Sequence, residues 1–258
     1  YFDRTATVLT IHNLGYQGIY DPEVLDRVGL DGRGRGPGDA LEFWGKVNYL
    51  KAAIMDADAV TTVSPRYAEE IRTRPEFAEG LQGVLSARGN GLTGILNGID
   101  VVTWDPARDP HLPLRYDRDR LEAKAASKKA LLARTGLAPR LDRPLVGMVT
   151  RLVEQKGIEL LLAAAPRLLE MDLALVVLGS GRPAYEQEMR RLAAAHPDRV
   201  YYGSDFDDPL AHLIEAGADM FLMPSRYEPC GLNQMMSLRY GTVPVVHRVG
   251  GLADTVRA

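Results

Sequence analysis

The chain has 258 residues, 46% of them hydrophobic, which is enough to bury the core of one large or two medium-sized domains. A formal net charge of −3, with no basic run on one predicted face, argues against nucleic-acid binding. The single cysteine, Cys230, excludes an intramolecular disulfide framework and any zinc site built from several cysteines. No stretch is long and apolar enough to span a bilayer, so we expect no membrane insertion.

Short apolar runs alternate with helical patterns along the chain, and this alternation predicts an α/β fold with parallel sheets covered by helices. The predicted strands are Thr7–Ile11, Ala59–Val63, Thr93–Leu96, Leu145–Thr150, Leu173–Leu178, Asp219–Met223 and Val243–Val246.

The proline-rich segment Thr103–Pro113 interrupts this alternation and leads into a charged helix predicted from about Tyr116 to Thr135. We place the domain junction here. Residues 1–112 would be the remaining part of one Rossmann-like domain, and residues 113–258 a linker helix and a second such domain. The linker helix carries Lys124, Lys128 and Lys129, for which a solvated helix face is favoured over a polyanion site.

A glycine-rich segment, Asp31–Gly38, has the composition of a phosphate-binding loop. No lysine and hydroxyl residue of a P-loop follow it, and no predicted strand directly precedes it. Its glycine and proline content therefore favours a flexible surface loop.

Candidate site residues follow the predicted strands directly, at the edge where parallel sheets bind ligands. Arg151 and Lys156 lie between a strand and a helix, where two cations can neutralise a diphosphate leaving group. Glu228 lies in a turn before a helix predicted at Gly231–Tyr240, whose first backbone amides can face an anion. A carboxylate beside an anion site suggests a sugar phosphate as ligand.

Several ordered motifs closely resemble glycosyltransferase family 5, the bacterial glycogen synthases and plant starch synthases. These motifs are His12–Gly18, Gly45–Ala52, Thr61–Pro65, Leu96–Asp100, Thr150–Gly157, Pro224–Gln234 and Val246–Val256. The resemblance implies a GT-B fold, in which two Rossmann-like domains face each other across a cleft. The family's amino-terminal lysine-glycine-glycine loop, which contacts the donor nucleotide, is nowhere in this sequence. We therefore expect an internal piece of a longer enzyme, with the first domain incomplete and the second truncated.

The family's activity is implied for this chain: transfer of glucose from ADP-glucose to the non-reducing end of an α-1,4-glucan, with retention at the anomeric carbon. By the same resemblance Arg151 and Lys156 neutralise the diphosphate, and Glu228 lies near the donor sugar. His12 contacts the donor glucose near its reacting carbon, although a buried histidine is the alternative from position alone. Asn97 hydrogen-bonds the same sugar, and a turn cap is its alternative.

The resemblance also implies that Phe206 lies against the adenine, and the alternative is a core aromatic under a loop. Gly179 lets the nucleotide backbone approach, and Asn233 presents its amide to phosphate. Three consecutive residues, Cys230, Gly231 and Leu232, complete the candidate substrate-binding set. We expect Cys230 to be a buried structural thiol close to substrate.

Many retaining GT-B enzymes have a second glutamate eight positions after the first, where this chain has Met236; this departure suits family 5. Asp207 and Asp208 lack the spacing of a metal-binding pair, so no metal is implied, and neither is a cofactor.

The alternative to an active synthase is a truncated, inactive remnant that binds nucleotide or glucan. A phosphorylase-like enzyme would need a lysine for pyridoxal phosphate, and Lys156 is already assigned. Cysteine usage and the resemblance together predict a cytoplasmic protein.

Overall fold

The computed structural model describes residues 4–30, 36 and 38–257. The chain forms two compact units, Tyr1–Asn97 and Gly98–Ala258. Most of the Asp31–Gly38 segment, for which a surface loop is predicted, lies outside the described residues. None of the helices in the described ranges is both long and apolar enough to cross a membrane.

The first unit combines a parallel sheet with a small antiparallel one. Its strands are β1 (Val8–Ile11), β2 (Ile19–Tyr20), β3 (Glu42–Phe43), β4 (Lys46–Asn48), β5 (Ala59–Thr62) and β6 (Leu92–Gly94). Its helices are α1 (Val24–Arg27), α2 (Tyr49–Asp56), α3 (Pro65–Thr73) and α4 (Gln82–Ala87). The parallel sheet has the order β1-β5-β6, and the antiparallel sheet has the order β2-β4-β3.

Two helices of this unit begin at side-chain caps that the sequence encodes locally. The Asn48 side chain accepts a hydrogen bond from the backbone N–H of Lys51 at the start of α2. The Ser64 hydroxyl accepts one from the backbone N–H of Tyr67 at the start of α3, where Pro65 occupies the first helical position. These caps fix the points at which the chain leaves β4 and β5.

The second unit is a five-stranded parallel sheet with helices on both faces. Its helices are α5 (Lys124–Thr135), α6 (Ile158–Glu170), α7 (Pro183–Ala195), α8 (Asp208–Gly217), α9 (Asn233–Arg239) and α10 (Gly250–Thr255). Its strands are β7 (Leu145–Val149), β8 (Ala174–Leu178), β9 (Val200–Gly203), β10 (Met220–Met223) and β11 (Val243–Val246). The strand order is β11-β10-β7-β8-β9.

Strand β8 is buried along its whole length because apolar helices cover both faces of the sheet. Val176 faces the cluster that α5 and α8 contribute to, and Val177 faces the cluster that α6 and α7 contribute to. The predicted strands occur at the expected places, with end positions that agree or differ by at most two residues. The sequence patterns missed β2, β3, β4 and β9, since the first three have two or three residues each and the edge strand β9 is only partly buried.

The predicted helix at Tyr116–Thr135 is wrong in its first part, because α5 begins at Lys124 after a short 3-10 turn. Tyr116 is instead buried, and its hydroxyl donates to the carbonyl oxygen of Tyr240 at 2.8 Å. The buried Asp109 carboxylate contacts His212 Nδ1 at 2.8 Å and accepts from the Tyr240 hydroxyl at 2.6 Å. Because this network holds the proline-rich segment on the second unit, the structural division falls after Asn97, before that segment.

The prediction of a solvated face for the lysines of α5 is wrong at two of its three positions. Lys128 is buried, and its ammonium donates to Asp219 Oδ2 at 2.7 Å and to two backbone carbonyls. Lys124 donates to the carbonyl oxygen of Ala216 and to Thr242 Oγ1, both at 2.6 Å. Its cation thus lies at the carboxyl end of α8, where the helix dipole favours positive charge. Lys129 is exposed, as expected.

Candidate active site

The carboxyl edge of the five-stranded sheet gathers the predicted residues of the second unit. Arg151 follows β7, Gly179 follows β8 and Glu228 follows β10. Because β7 lies between β8 and β10 and all three strands are parallel, these loops emerge side by side. This is the position expected for a ligand site in an open α/β sheet.

The loops after β7 and β8 touch each other through their backbones. Gly179 has φ +147°, and a Cβ at this position would lie 1.8 Å from the carbonyl oxygen of Thr150. Gly181 and Leu152 form a β-bridge, and a Cβ at Gly181 would lie 2.2 Å from the carbonyl oxygen of Leu152. The glycines are therefore required for this close approach of the chain to itself. An approach of a nucleotide to Gly179 stays a prediction.

A cavity of about 200 Å³ opens beside these loops. Arg151, Gly179, Ser180 and Phe206 are among the residues that line it. Phe206 is 94% exposed, so the alternative of a core aromatic is wrong. A large exposed ring at the wall of a cavity can stack against a planar ligand.

Lys156 and Glu228, assigned from separate motifs, form an ion pair with 2.5 Å between Nζ and Oε2. Glu228 is only 5% exposed, and the same oxygen accepts from the Ser225 hydroxyl at 3.0 Å. Glu228 is therefore a buried, paired carboxylate. Gly157 permits the contact: it has φ +67°, and a Cβ there would lie 2.2 Å from the carbonyl oxygen of Pro224.

The turn after Glu228 is held on two sides. Gly251, in α10, packs against Cys230 so closely that a Cβ would lie 2.3 Å from the Cys230 Cα, and its N–H donates to the Glu228 carbonyl oxygen at 3.0 Å. The Gln234 side chain, in α9, donates to the carbonyl oxygens of Cys230 and Gly231, each at 3.0 Å. Cys230 is buried, as expected, and Gly231 turns the chain with φ +73°.

Helix α9 begins at Asn233, two residues later than predicted, and Leu232 precedes it as a 38% exposed side chain. The residue at its N-cap position, Leu232, makes no side-chain hydrogen bond to the first turn. The Asn233 side chain donates instead to Glu215 Oε1 at 3.2 Å. One of the two donors of that amide group is thus directed to a buried carboxyl group, and the presentation of the amide to phosphate stays a prediction.

In the first unit, His12 directly follows β1 and Asn97 follows β6 after two further residues. Both strands flank β5 in the same parallel sheet, so both positions belong to the same edge of that sheet. His12 is exposed, which makes the alternative of a buried core histidine wrong, and Asn97 is half-buried. The Gln17 side chain holds the loop after His12, donating to the Glu79 carbonyl oxygen at 2.9 Å.

Four supporting residues lie inside the sequence motifs but received no predicted role: Ser225, His247, Gln17 and Asn48. Ser225 donates to Glu228, and its carbonyl oxygen lies 2.8 Å from His247 Nδ1. Gln17 accepts from the Asn48 side chain at 2.6 Å and so links two motifs of the first unit. Membership of a motif was the only sequence signal for these contacts, and two of them, Ser225 with His247 and Gln17 with Asn48, join residues 22 and 31 positions apart.

One group in the described part of the chain combines side chains that metals favour: His111, Asp208 and His212, with ligand atoms within 4.8 Å of one another. That spread exceeds the roughly 3.4 Å between ligands bound 2.1 Å from a tetrahedral zinc ion. The His212 ring also stacks on Trp104, with 3.9 Å between centroids, and contacts Asp109. Packing of the proline-rich segment accounts for this arrangement.

Comparison with known proteins adds independent evidence. Residues 1–87 match the starch synthase catalytic domain, and residues 132–258 match the glycosyl transferases group 1. The chain is 58% identical over 250 residues to glycogen synthase from Anaeromyxobacter dehalogenans strain 2CP-C, covering 97% of this chain and 52% of that protein. It is 52% identical over 254 residues to glycogen synthase 1 from Methylococcus capsulatus, covering 98% and 51%.

Among solved structures, the chain resembles the catalytic domain of starch synthase IV from Arabidopsis thaliana bound to ADP and acarbose. The TM-score is 0.88 at 38% identity, covering 97% of this chain and 52% of that one. Anabaena Alr3699/HepE in complex with UDP and glucose shares the fold, with a TM-score of 0.55 at 17% identity and coverage of 99% and 56%.

These matches and the two α/β units with parallel sheets show the Rossmann-like domains of the GT-B glycosyltransferase class. Within that class, the chain belongs to the glycogen and starch synthase family. It spans about half the length of the curated relatives that it matches.

Proposed function

We propose that the complete protein transfers glucose from ADP-glucose to the non-reducing end of an α-1,4-glucan, with retention at the anomeric carbon. The observation that carries the proposal is the contact between Lys156 and Glu228 at the carboxyl edge of the sheet, where Arg151 also lies. The similar starch synthase structure is bound to ADP and acarbose. The ADP supports the proposed nucleotide of the donor, and the acarbose supports the proposed glucan acceptor. A cytoplasmic location remains a prediction.

Breaking the bond between the anomeric carbon and phosphate builds negative charge on the diphosphate and positive character on the sugar ring. In our proposal Arg151 and Lys156 bind the diphosphate, Arg151 with a guanidinium fork and Lys156 as a point charge. The ammonium of Lys156 has three donors, so it can keep its bond to Glu228 while donating to a phosphate oxygen. Glu228 would thereby be oriented beside the donor sugar.

The remaining candidate residues would bind the donor away from the leaving group. We assign His12 and Asn97 to the glucose and Phe206 to the adenine. No Asp or Glu is assigned as a nucleophile, so a front-face reaction is favoured over a double displacement. Cys230, which is buried, would shape the turn near the substrate rather than react.

Incorporation of labelled glucose into glycogen by the purified complete protein tests this function. We expect incorporation from ADP-glucose, with UDP-glucose in parallel to test the nucleotide preference. The alternative, an inactive nucleotide- or glucan-binding protein, predicts ADP or glucan binding by calorimetry without incorporation from either donor.

Replacing Phe206 by alanine should raise the KM for ADP-glucose by about 10-fold while changing kcat less, because a stacked base is held alike in ground and transition states. Phe206→Tyr is the matched control and should keep the KM near that of the unsubstituted protein. Steady-state kinetics and ADP calorimetry measure both effects. An unchanged ADP affinity in Phe206→Ala would remove this ring from the nucleotide site.

A further inference from the structure

Glu215 is a fully buried carboxylate, 0% exposed, on α8. Both of its oxygens are bound by one face of α9: Oε1 accepts from the Asn233 side chain at 3.2 Å and Oε2 from the Ser237 hydroxyl at 2.6 Å. Asn233 and Ser237 are four residues apart and therefore share a helix face. Neither the predicted chemistry nor the family motifs assign a role to Glu215.

Helix α9 in turn holds the substrate turn of the candidate active site. Gln234, the residue after Asn233, donates through its side-chain amide to the carbonyl oxygens of Cys230 and Gly231. A continuous series of contacts thus runs from Glu215 through α9 to the turn that follows Glu228. A shift of α9 would move these carbonyls and the backbone between them.

We propose that Glu215 is a positioning residue that fixes the Cys230–Leu232 turn through Asn233 and Ser237. The inference rests on the proposed function, because that turn belongs to the proposed donor site. Glu215 acts through α9, and of the candidate site residues it contacts Asn233, by the hydrogen bond given above.

The cost of burying this group supports a specific role. A carboxyl group without exposure, whether ionised or protonated, is costly unless it is hydrogen-bonded, and an apolar side chain of similar size would pack there without that cost. Burial raises the pKa of Glu215 to about 8, although Ser237, Asn233 and the charge of Lys124 oppose the shift. The carboxyl group is therefore present for its two oxygens, and both are directed to α9.

The test compares Glu215→Leu with Glu215→Gln in the complete protein, assayed for glucose incorporation. The leucine variant loses both acceptors, so we expect kcat to fall about 10-fold and the KM for ADP-glucose to rise. The glutamine variant keeps one acceptor for Asn233 and gains a donor for the Ser237 hydroxyl. It should recover kcat and KM to within about threefold of the unsubstituted protein.

Lys128→Met is the control for loss of stability alone, because Lys128 is a buried charged residue of the same unit whose ammonium contacts Asp219 and two backbone carbonyls rather than α9. It should lower the melting temperature and leave kcat and KM unchanged.

Ser237→Ala should lower kcat about threefold on its own and add little to Glu215→Leu, because the two residues share one contact. This smaller change also provides a result if Glu215→Leu fails to fold.

Unchanged kinetics in a folded Glu215→Leu protein would overturn the inference, as would a Glu215→Gln protein impaired as strongly as the leucine variant. Equal kinetic loss in Lys128→Met would also overturn it, because the effect would then be one of general destabilisation. Failure of the proposed function is separate: the unsubstituted protein would then incorporate no glucose at all.

Discussion

Replacing Lys156 by alanine in the complete protein is expected to lower kcat by about 10²-fold or more. The substitution removes a cation from the developing diphosphate and also leaves the buried Glu228 carboxylate with only the Ser225 hydroxyl among its described side-chain partners. Arg151→Ala should lower kcat to a similar extent, because its guanidinium would bind the same leaving group. Circular dichroism should show that both variants remain folded.

Arg191→Ala provides the matched control for removing a cation. Arg191 forms an exposed ion pair with Glu188 on α7, and such pairs contribute little to stability. Its kcat should equal that of the unsubstituted protein. If folded Lys156→Ala or Arg151→Ala turns over at that same rate, the substituted cation does not act on the leaving group.

Gly179→Ala is expected to destabilise the second unit by about 3 kcal/mol or more and to abolish ADP binding. The added Cβ would lie 1.8 Å from the Thr150 carbonyl oxygen, so the loops after β7 and β8 would have to separate. The backbone at Gly179, with φ +147°, is also one that alanine rarely adopts. Urea unfolding and ADP calorimetry measure the two effects.

The control for this substitution is Gly83→Ala in α4, where an added Cβ meets no atom within 4 Å. Alanine should stabilise that helix by up to about 1 kcal/mol. An unfolding midpoint for Gly179→Ala as high as that of Gly83→Ala would show that the loop after β8 tolerates a side chain. The close approach would then carry no constraint on the fold.

The sequence predicted where the site residues lie along each strand but not which of them touch. An apolar run followed by polar residues and glycine marks the end of a strand, and this placed Arg151 and Glu228 correctly at strand ends. The bond between Lys156 and Glu228 joins segments 72 residues apart. It depends on β10 lying beside β7, and the order of strands in a sheet is not encoded in local periodicity.

Charged residues of α5 were the least predictable part of the fold. A helix with lysines at Lys124, Lys128 and Lys129 has the composition of a solvated helix, and no local pattern marks Lys128 as buried or Lys124 as half-buried. Their partners are carbonyl oxygens and side chains about 90 or more residues away in several cases, such as Asp219, Ala216 and Thr242. The packing of α5 against α8 shows what the sequence does not: the long side chain of Lys124 places its ammonium group at the carboxyl end of α8.

Glu215 and Lys124 make the stability of the second unit depend on pH, in opposite directions below and above about pH 8. Burial raises the pKa of Glu215 from 4.5 to about 8 and lowers that of Lys124 from 10.5 to about 8. From pH 4.5 to 8 the folded chain keeps a proton on Glu215 that the unfolded chain releases, so the contribution of Glu215 to stability falls as pH rises. From pH 8 to 10.5 the folded chain has lost a proton from Lys124 that the unfolded chain keeps, so the contribution of Lys124 rises with pH. This pair should therefore stabilise the fold least near pH 8, and folding at neutral pH should take up a proton, which calorimetry in buffers of different ionisation enthalpy would detect.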